Sequence, residues 1–158
     1  MTHLRYHRWA TGSIFEQTGS LSDEELRRNL NTSFEGIYGT LLHLYRADSL
    51  WLARLEQSGR QRLEDYPDPE TIAILREKWA AVQDGMLAFA ERLGEADWET
   101  KLSYTTLAGV PYHTPIWQMV LHIVNHGTHH RGQILSMLRQ LGHKPTGLDL
   151  IGYYRATA

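Results

Sequence analysis

The chain has 158 residues, 42% of them hydrophobic, a formal net charge of −2 and no cysteine. That length predicts one domain with a sizeable core, and the charge removes the electrostatic case for nucleic acid as the main partner. The absence of thiols excludes disulfides, thiolate metal ligands and a cysteine nucleophile. The N-terminal segment carries Arg5, His7 and Arg8 rather than an apolar signal core, and no stretch reaches transmembrane length. The expectation is a cytoplasmic protein with no membrane partner.

Residues 2–18 predict a first helix, with Leu4, Ala10, Ile14 and Phe15 inward and Gly19 ending it. Ser22 and Glu25 have the spacing of a capping box, with Leu21 and Leu26 as a hydrophobic staple. The helix they open is short, because Asn29, Asn31 and Thr32 break the pattern. A second long helix is predicted over 33–57, with Ile37, Leu41, Leu44, Trp51 and Leu55 as its core stripe. After a polar linker, Asp68 reads as an N-cap, Pro69 as the first helical position and Glu70 as a dipole partner. Ile72, Leu75, Trp79, Val82, Met86, Phe89 and Leu93 then recur at helical spacing up to Gly94. Residues 101–113 alternate about Ala108-Gly109, which predicts a short β-hairpin before the last helix. A fourth long helix opens after Pro115 and closes at Gly142, and the apolar LDLIGYYR tail is expected to fold back on it. Four long amphipathic helices in one domain spanning 1–158 predict an all-α four-helix bundle. The linkers between the second and third and between the third and fourth long helices are long enough for crossover connections.

The fourth helix carries the chemistry. His122, His126, His129 and His130 fall within nine residues, in the run HIVNHGTHHRGQI. Residues four apart share a helix face, and histidine is the commonest protein metal ligand. Ile116, Val120, Ile123, Gly127, Ile134, Leu138 and Leu141 form the core stripe. His130 lies nearest that stripe and His126 one step further out, about 40° for each four residues. A metal site at the core edge therefore favours His126 and His130 over His122 and His129. Imidazoles must be neutral to bind metal, so affinity should fall as the pH drops through the ordinary histidine range near 6.5.

Two histidines rarely complete a site, and a catalytic one takes three protein ligands plus an open position. His7 and His43 are the candidates inside helices. His43 shares its face with Gly36, Thr40 and Ala47, which would let another helix or a substrate come close. Position alone leaves it either a ligand or a histidine bonded across a helix contact. Asp48 falls on the core stripe of its helix, where a carboxylate must be paired. An Arg partner or a helix cap is favoured there over a hydrogen bond to a ligand histidine. Asp48, Glu35 and Tyr45 are the available general bases, and none is singled out. Gly132, in mid-helix, is expected to mark a close approach by another element.

HLYRADSLWL on one helix and HIVNHGTHHRGQI on another resemble the DinB family of metalloenzymes, over nearly the whole chain. YHRWA resembles the family's first helix, with Thr11 where an Asn is usual, and LLHLYRAD matches the segment carrying a ligand histidine. NHGTHHRGQI is the most specific part. The resemblance implies a four-helix bundle, a divalent metal (zinc, nickel, manganese, cobalt or iron) held by His43, His126 and His130, and a homodimer. Five tryptophans, more than one small core needs, point to an interface as well. The family's name reflects induction by DNA damage in one member and does not establish action on DNA. Related proteins of assigned chemistry, bacillithiol-dependent S-transferases and a mycothiol-dependent maleylpyruvate isomerase, imply a small-molecule substrate and a low-molecular-weight thiol. The leading expectation is thus a metal-dependent transferase or hydrolase acting on an electrophilic small molecule. A non-catalytic metal-binding stress protein is the alternative, and a nuclease comes last.

Overall fold

The first helix, α1 (Thr2–Thr18), buries Leu4, Ala10, Ile14 and Phe15 as its periodicity requires. In the computed structural model, which describes residues 1–60 and 62–158, it is followed by α2 (Asp23–Arg27), α3 (Ile37–Leu55) and α4 (Ile72–Glu91). Then come an antiparallel hairpin of β1 (Lys101–Thr105) and β2 (Pro111–Pro115), α5 (Ile116–Gln140) and a short α6 (Leu150–Ala156). The Ser22–Glu25 capping box forms, and Leu21 and Leu26 are buried beside it.

Helix α3 starts later than its periodicity predicts, at Ile37 rather than residue 33. Asn31 and Glu35 take left-handed backbone angles, with φ of 56° and 65°, which a helix cannot contain. Helix α4 also starts late. Thr71, not Asp68, caps it by accepting from the Ile74 N–H at 3.2 Å. Asp68 pairs instead with Arg46 of α3, and Tyr38 donates to the Pro69 carbonyl at 3.0 Å. A cap needs its oxygen free for the helix N–H groups, and a long-range ion pair has taken that of Asp68.

The bundle is a square in which α1 packs on α4 and α5, and α3 packs on the same two helices. Two connections therefore run along diagonals. One joins α1 to α3 through α2, and the other joins α4 to α5 through the hairpin. The linker between α3 and α4 joins neighbours but runs back along α3, past Arg46 at Asp68 and Tyr38 at Pro69, as the crossover expected there requires. The two helices are therefore parallel, with Asp48 bonded to Trp79 near their middles and Leu52 against Gly85 further along. The tail folds back as expected: Tyr153 of α6 is buried against Tyr6 and Trp9, and Tyr6 donates to the Leu148 carbonyl at 2.8 Å. No helix among the described residues is long and apolar enough to cross a membrane.

Below the site, the core carries a buried polar cluster. Asp48 Oδ2 accepts from His7 Nε2 at 2.7 Å and from Trp79 Nε1 at 2.6 Å. Arg131 lies on the other side of His7, with Nη1 at 3.0 Å from His7 Nδ1. A guanidinium only donates, so Nδ1 accepts and Nε2 carries the proton given to Asp48. Asp48 thus neither pairs directly with an Arg nor caps a helix, as was favoured, and it bonds none of His43, His126 and His130. Helix α1 brings His7 to it, which periodicity within α3 could not indicate.

The glycine that admits this cluster is Gly127. A Cβ there would lie 2.7 Å from both Arg131 Nη1 and His7 Nδ1. A Cβ on Gly132 would meet nothing within 4 Å, which overturns the close approach expected there. Gly132 faces solvent, because 3.6-residue periodicity turns it away from the stripe that Gly127 shares. Gly127→Ala should therefore destabilise the fold by about 1–3 kcal/mol through overpacking. Gly132→Ala should stabilise it by roughly 0.5–1 kcal/mol from helix propensity. Thermal unfolding of the two variants checks both signs.

Candidate metal centre

Helix α5 places His126 and His130 one turn apart, and α3, packed antiparallel beside it, brings His43 to the same point. His43 Nε2 and His130 Nε2 each lie 3.1 Å from His126 Nε2. All three ligand atoms lie within 4.8 Å of one another, and together they could hold a metal ion. His130 is buried and the other two half-buried, the order that the α5 stripe predicts.

The donor chemistry fits a cation. Gln133 Oε1 lies 2.7 Å from His130 Nδ1, an acceptor that puts the proton on Nδ1 and leaves the Nε2 lone pair facing the other two rings. A neutral His126 has at most one proton on Nε2 and cannot give good hydrogen bonds to both neighbours. Three lone pairs converging on one ion remove that conflict. For tetrahedral bonds of 2.0–2.1 Å, ligand nitrogens sit about 3.3 Å apart, close to the two 3.1 Å separations from His126. Burial, reinforced by the charge of His130, pushes the pKa of His43 down to about 4. Burial and its three histidine neighbours do the same to His126, also to about 4. His130 is lowered as well, chiefly by burial. The rings are thus held neutral, the state a metal requires.

The sequence does not single out Phe34, yet its ring stacks on His43 at 3.9 Å between centroids and meets His130 edge-on at 5.5 Å. Gly39 makes this possible, because a Cβ there would overlap the Phe34 carbonyl oxygen. The small residues on the His43 face therefore admit a loop and a cavity rather than a helix. Gln133 could have been suspected, being three residues past His130 on the same face.

The remaining histidines do not join the three. His7 is buried with Asp48, and His129 is exposed. His113 Nδ1 lies 2.8 Å from Ser103 Oγ across the hairpin, and His143 sits 3.5 Å from Glu25. His122 stacks beside His126 at 5.7 Å and packs on Trp51 at 4.8 Å.

Beside the histidines lies a cavity of about 570 Å³, into which His43 and His126 open. Its walls are mainly apolar, from Phe34, Leu42, Leu50, Trp51, Leu63 and the hairpin tip at Leu107. Asp48, Glu35 and Tyr45 do not line it, so none of the suspected general bases reaches the site from this side. Volume and lining are those of a site for a small molecule.

Comparison with known proteins bears on the family and the fold. A family model described as the DinB family matches residues 1–158. Protein DinB of Bacillus subtilis (strain 168) is 24% identical over 153 residues, covering 91% of this chain and 87% of that protein. The crystal structure of a DinB-like protein from Bacillus cereus ATCC 10987 superposes with a TM-score of 0.70 at 20% identity, covering 92% of this chain and 94% of that one. A DinB-like protein from Bacillus subtilis gives 0.68 at 14% identity, covering 93% and 96%. At these identities the two structures speak for the fold.

Proposed function

The chain belongs to the DinB family, and from that premise we propose that it is an enzyme in which His43, His126 and His130 hold one divalent metal. The observation that carries this reading is the convergence of three Nε2 atoms, two of them on rings that line a half-open, mainly apolar cavity. A storage or structural site is closed on all sides, whereas a catalytic one keeps a position open to substrate. Zinc, nickel, manganese, cobalt and iron all accept imidazole. The bound ion would supply a Lewis acid that lowers the pKa of water or of a small thiol.

The chain's own residues do the rest. Gln133 fixes the His130 tautomer, Phe34 covers His43, and the apolar walls exclude water from an electrophilic substrate. With no cysteine in the chain, a thiol for S-transfer would come from a low-molecular-weight cofactor, and hydrolysis would need none. The negative net charge and the apolar lining speak against DNA as substrate.

We extend the proposal to a homodimer. Of the five tryptophans only Trp117 is exposed, so it is not tryptophan number that supports this. The support is an exposed apolar surface on the hairpin and the start of α5, at Leu107, Val110, Tyr112, Trp117 and Leu121. Elemental analysis of purified protein, then assays pairing small thiols or water with electrophiles, tests the enzymatic reading. One metal per chain with thiol-dependent or hydrolytic turnover is expected. Stoichiometric metal without turnover across the panel would favour a non-catalytic metal-binding protein.

A further inference from the structure

Among the described residues, the cavity wall holds a cation with no anion. Arg54 of α3 is only 6% exposed, and its guanidinium carbon lies 4.6 Å from the Trp51 ring centre and 4.8 Å from that of Tyr104. All three residues line the cavity. Nη2 donates to the Thr105 carbonyl at 3.0 Å, while Nε has no hydrogen-bond partner among the described residues. No carboxylate pairs with it there either. The other arginine of the lining, Arg46, is occupied by Asp68 and the Tyr66 carbonyl. Burying a guanidinium without a counter-charge is costly, and burial pushes the pKa of Arg54 down accordingly. Two aromatic faces hold the fork in place and offset part of that cost, but they leave the Nε donor unsatisfied.

We propose that the cavity takes an elongated, largely apolar small molecule with a carboxylate or similar anionic group at the end remote from the histidines, and that Arg54 binds that group. This rests on the reading of the cavity as the substrate side of the metal centre. The placement follows from α3. Arg54 is eleven residues beyond His43, about 16 Å along the helix axis. Side chains converge across that span through Trp51, which touches His122 at 4.8 Å, and His122 in turn stacks on His126. Between the two polar ends the walls are aliphatic and aromatic. The anion would complete Arg54 with charge-assisted hydrogen bonds, and an uncharged analogue would leave Arg54 buried without a counter-charge. Arg54 is therefore a specificity residue, acting on binding rather than on the reacting atoms.

The test is calorimetric binding to the full chain of a medium-length fatty acid and of the alcohol of equal length. Both are repeated with an ω-mercapto group, with and without zinc. The acid should bind at least about tenfold tighter than the alcohol, zinc or no zinc. Arg54→Met should bring the two within about twofold by weakening only the acid, and Arg54→Lys should keep part of the preference as a point charge without the fork. Equal binding of acid and alcohol by the unaltered protein, absence of binding by either, or an undiminished preference in Arg54→Met overturns the proposal. If Arg54→Met does not fold, Arg54→Lys decides, and an unchanged acid affinity there overturns it. The metal reading has its own readout. Zinc should tighten the mercapto ligands over the plain ones, and failure of that difference alone sinks the metal centre while leaving the acid preference legible.

Discussion

His126→Ala should leave a folded protein that retains almost no metal. His126 is the middle of the three ligand atoms, 3.1 Å from each of the others, and without it His43 and His130 are left as an incomplete pair. His43→Ala and His130→Ala should lose metal comparably, because two imidazoles leave a divalent ion mostly to water. Gln133→Ala should weaken binding by roughly 10–100-fold, the usual effect of freeing a ligand ring from its orienting partner. His129→Ala and His143→Ala, whose rings lie outside the cluster, should keep one metal per chain. The measurement is metal content after dialysis against a weak chelator. Full occupancy in His126→Ala or His130→Ala would remove the assignment.

The same experiment run against pH separates this site from exposed histidines. His43 and His126 have pKa values lowered to about 4, and that of His130 is lowered too, so protons compete with the metal at lower pH than they would at unperturbed imidazoles. Metal should be retained at pH 5.5, well below the point near 6.5 expected from unperturbed imidazoles. Stability of the metal-free fold should fall in the same direction but start to do so at higher pH. The unfolded chain takes up protons on these histidines below 6.5 while the folded chain resists until about 4, so stability falls across that interval and is complete above it. A metal-free protein equally stable at pH 7 and pH 4.5 would contradict the burial of these rings.

Asp48→Ala should be the most destabilising single substitution in the core, by about 3–5 kcal/mol. It removes the acceptor shared by His7 and Trp79 and leaves Arg131, 1% exposed, without the nearby negative charge. Total stability of domains of this kind is only about 5–15 kcal/mol, so a fall in Tm of at least about 10 °C is expected. Asp48→Asn keeps one acceptor and should cost less. Metal stoichiometry in the surviving folded Asp48→Ala protein should be unchanged, since Asp48 bonds none of the three histidines. A loss of stability under about 1 kcal/mol would mean that the cluster relaxes around the change. Metal loss without destabilisation would place Asp48 in the metal centre instead.

The elements and the histidine pair could be read from residue order because both depend on local periodicity. A 3.6-residue repeat decides which side chains share a face. Four amphipathic stripes, the Ser22–Glu25 box and the alternation of 101–113 therefore appear in the structure nearly where the pattern puts them. His126 and His130 are four apart on one helix, so their proximity needs no fold. His43 is eighty-three residues from His126, and its position alone left ligand and structural roles equal. Only the family resemblance, and then the packing of α3 on α5, brings it to them. The misread features share one cause, which is that their partners are distant in the chain. Asp68 is drawn off its capping role by Arg46, Asp48 finds His7 on α1, and Gly127 rather than Gly132 faces that histidine. Phe34 and Arg54 carry no periodic signal of their own. The tertiary structure decided their roles, because a stacked ring and a buried cation held between two aromatic rings are defined by what surrounds them.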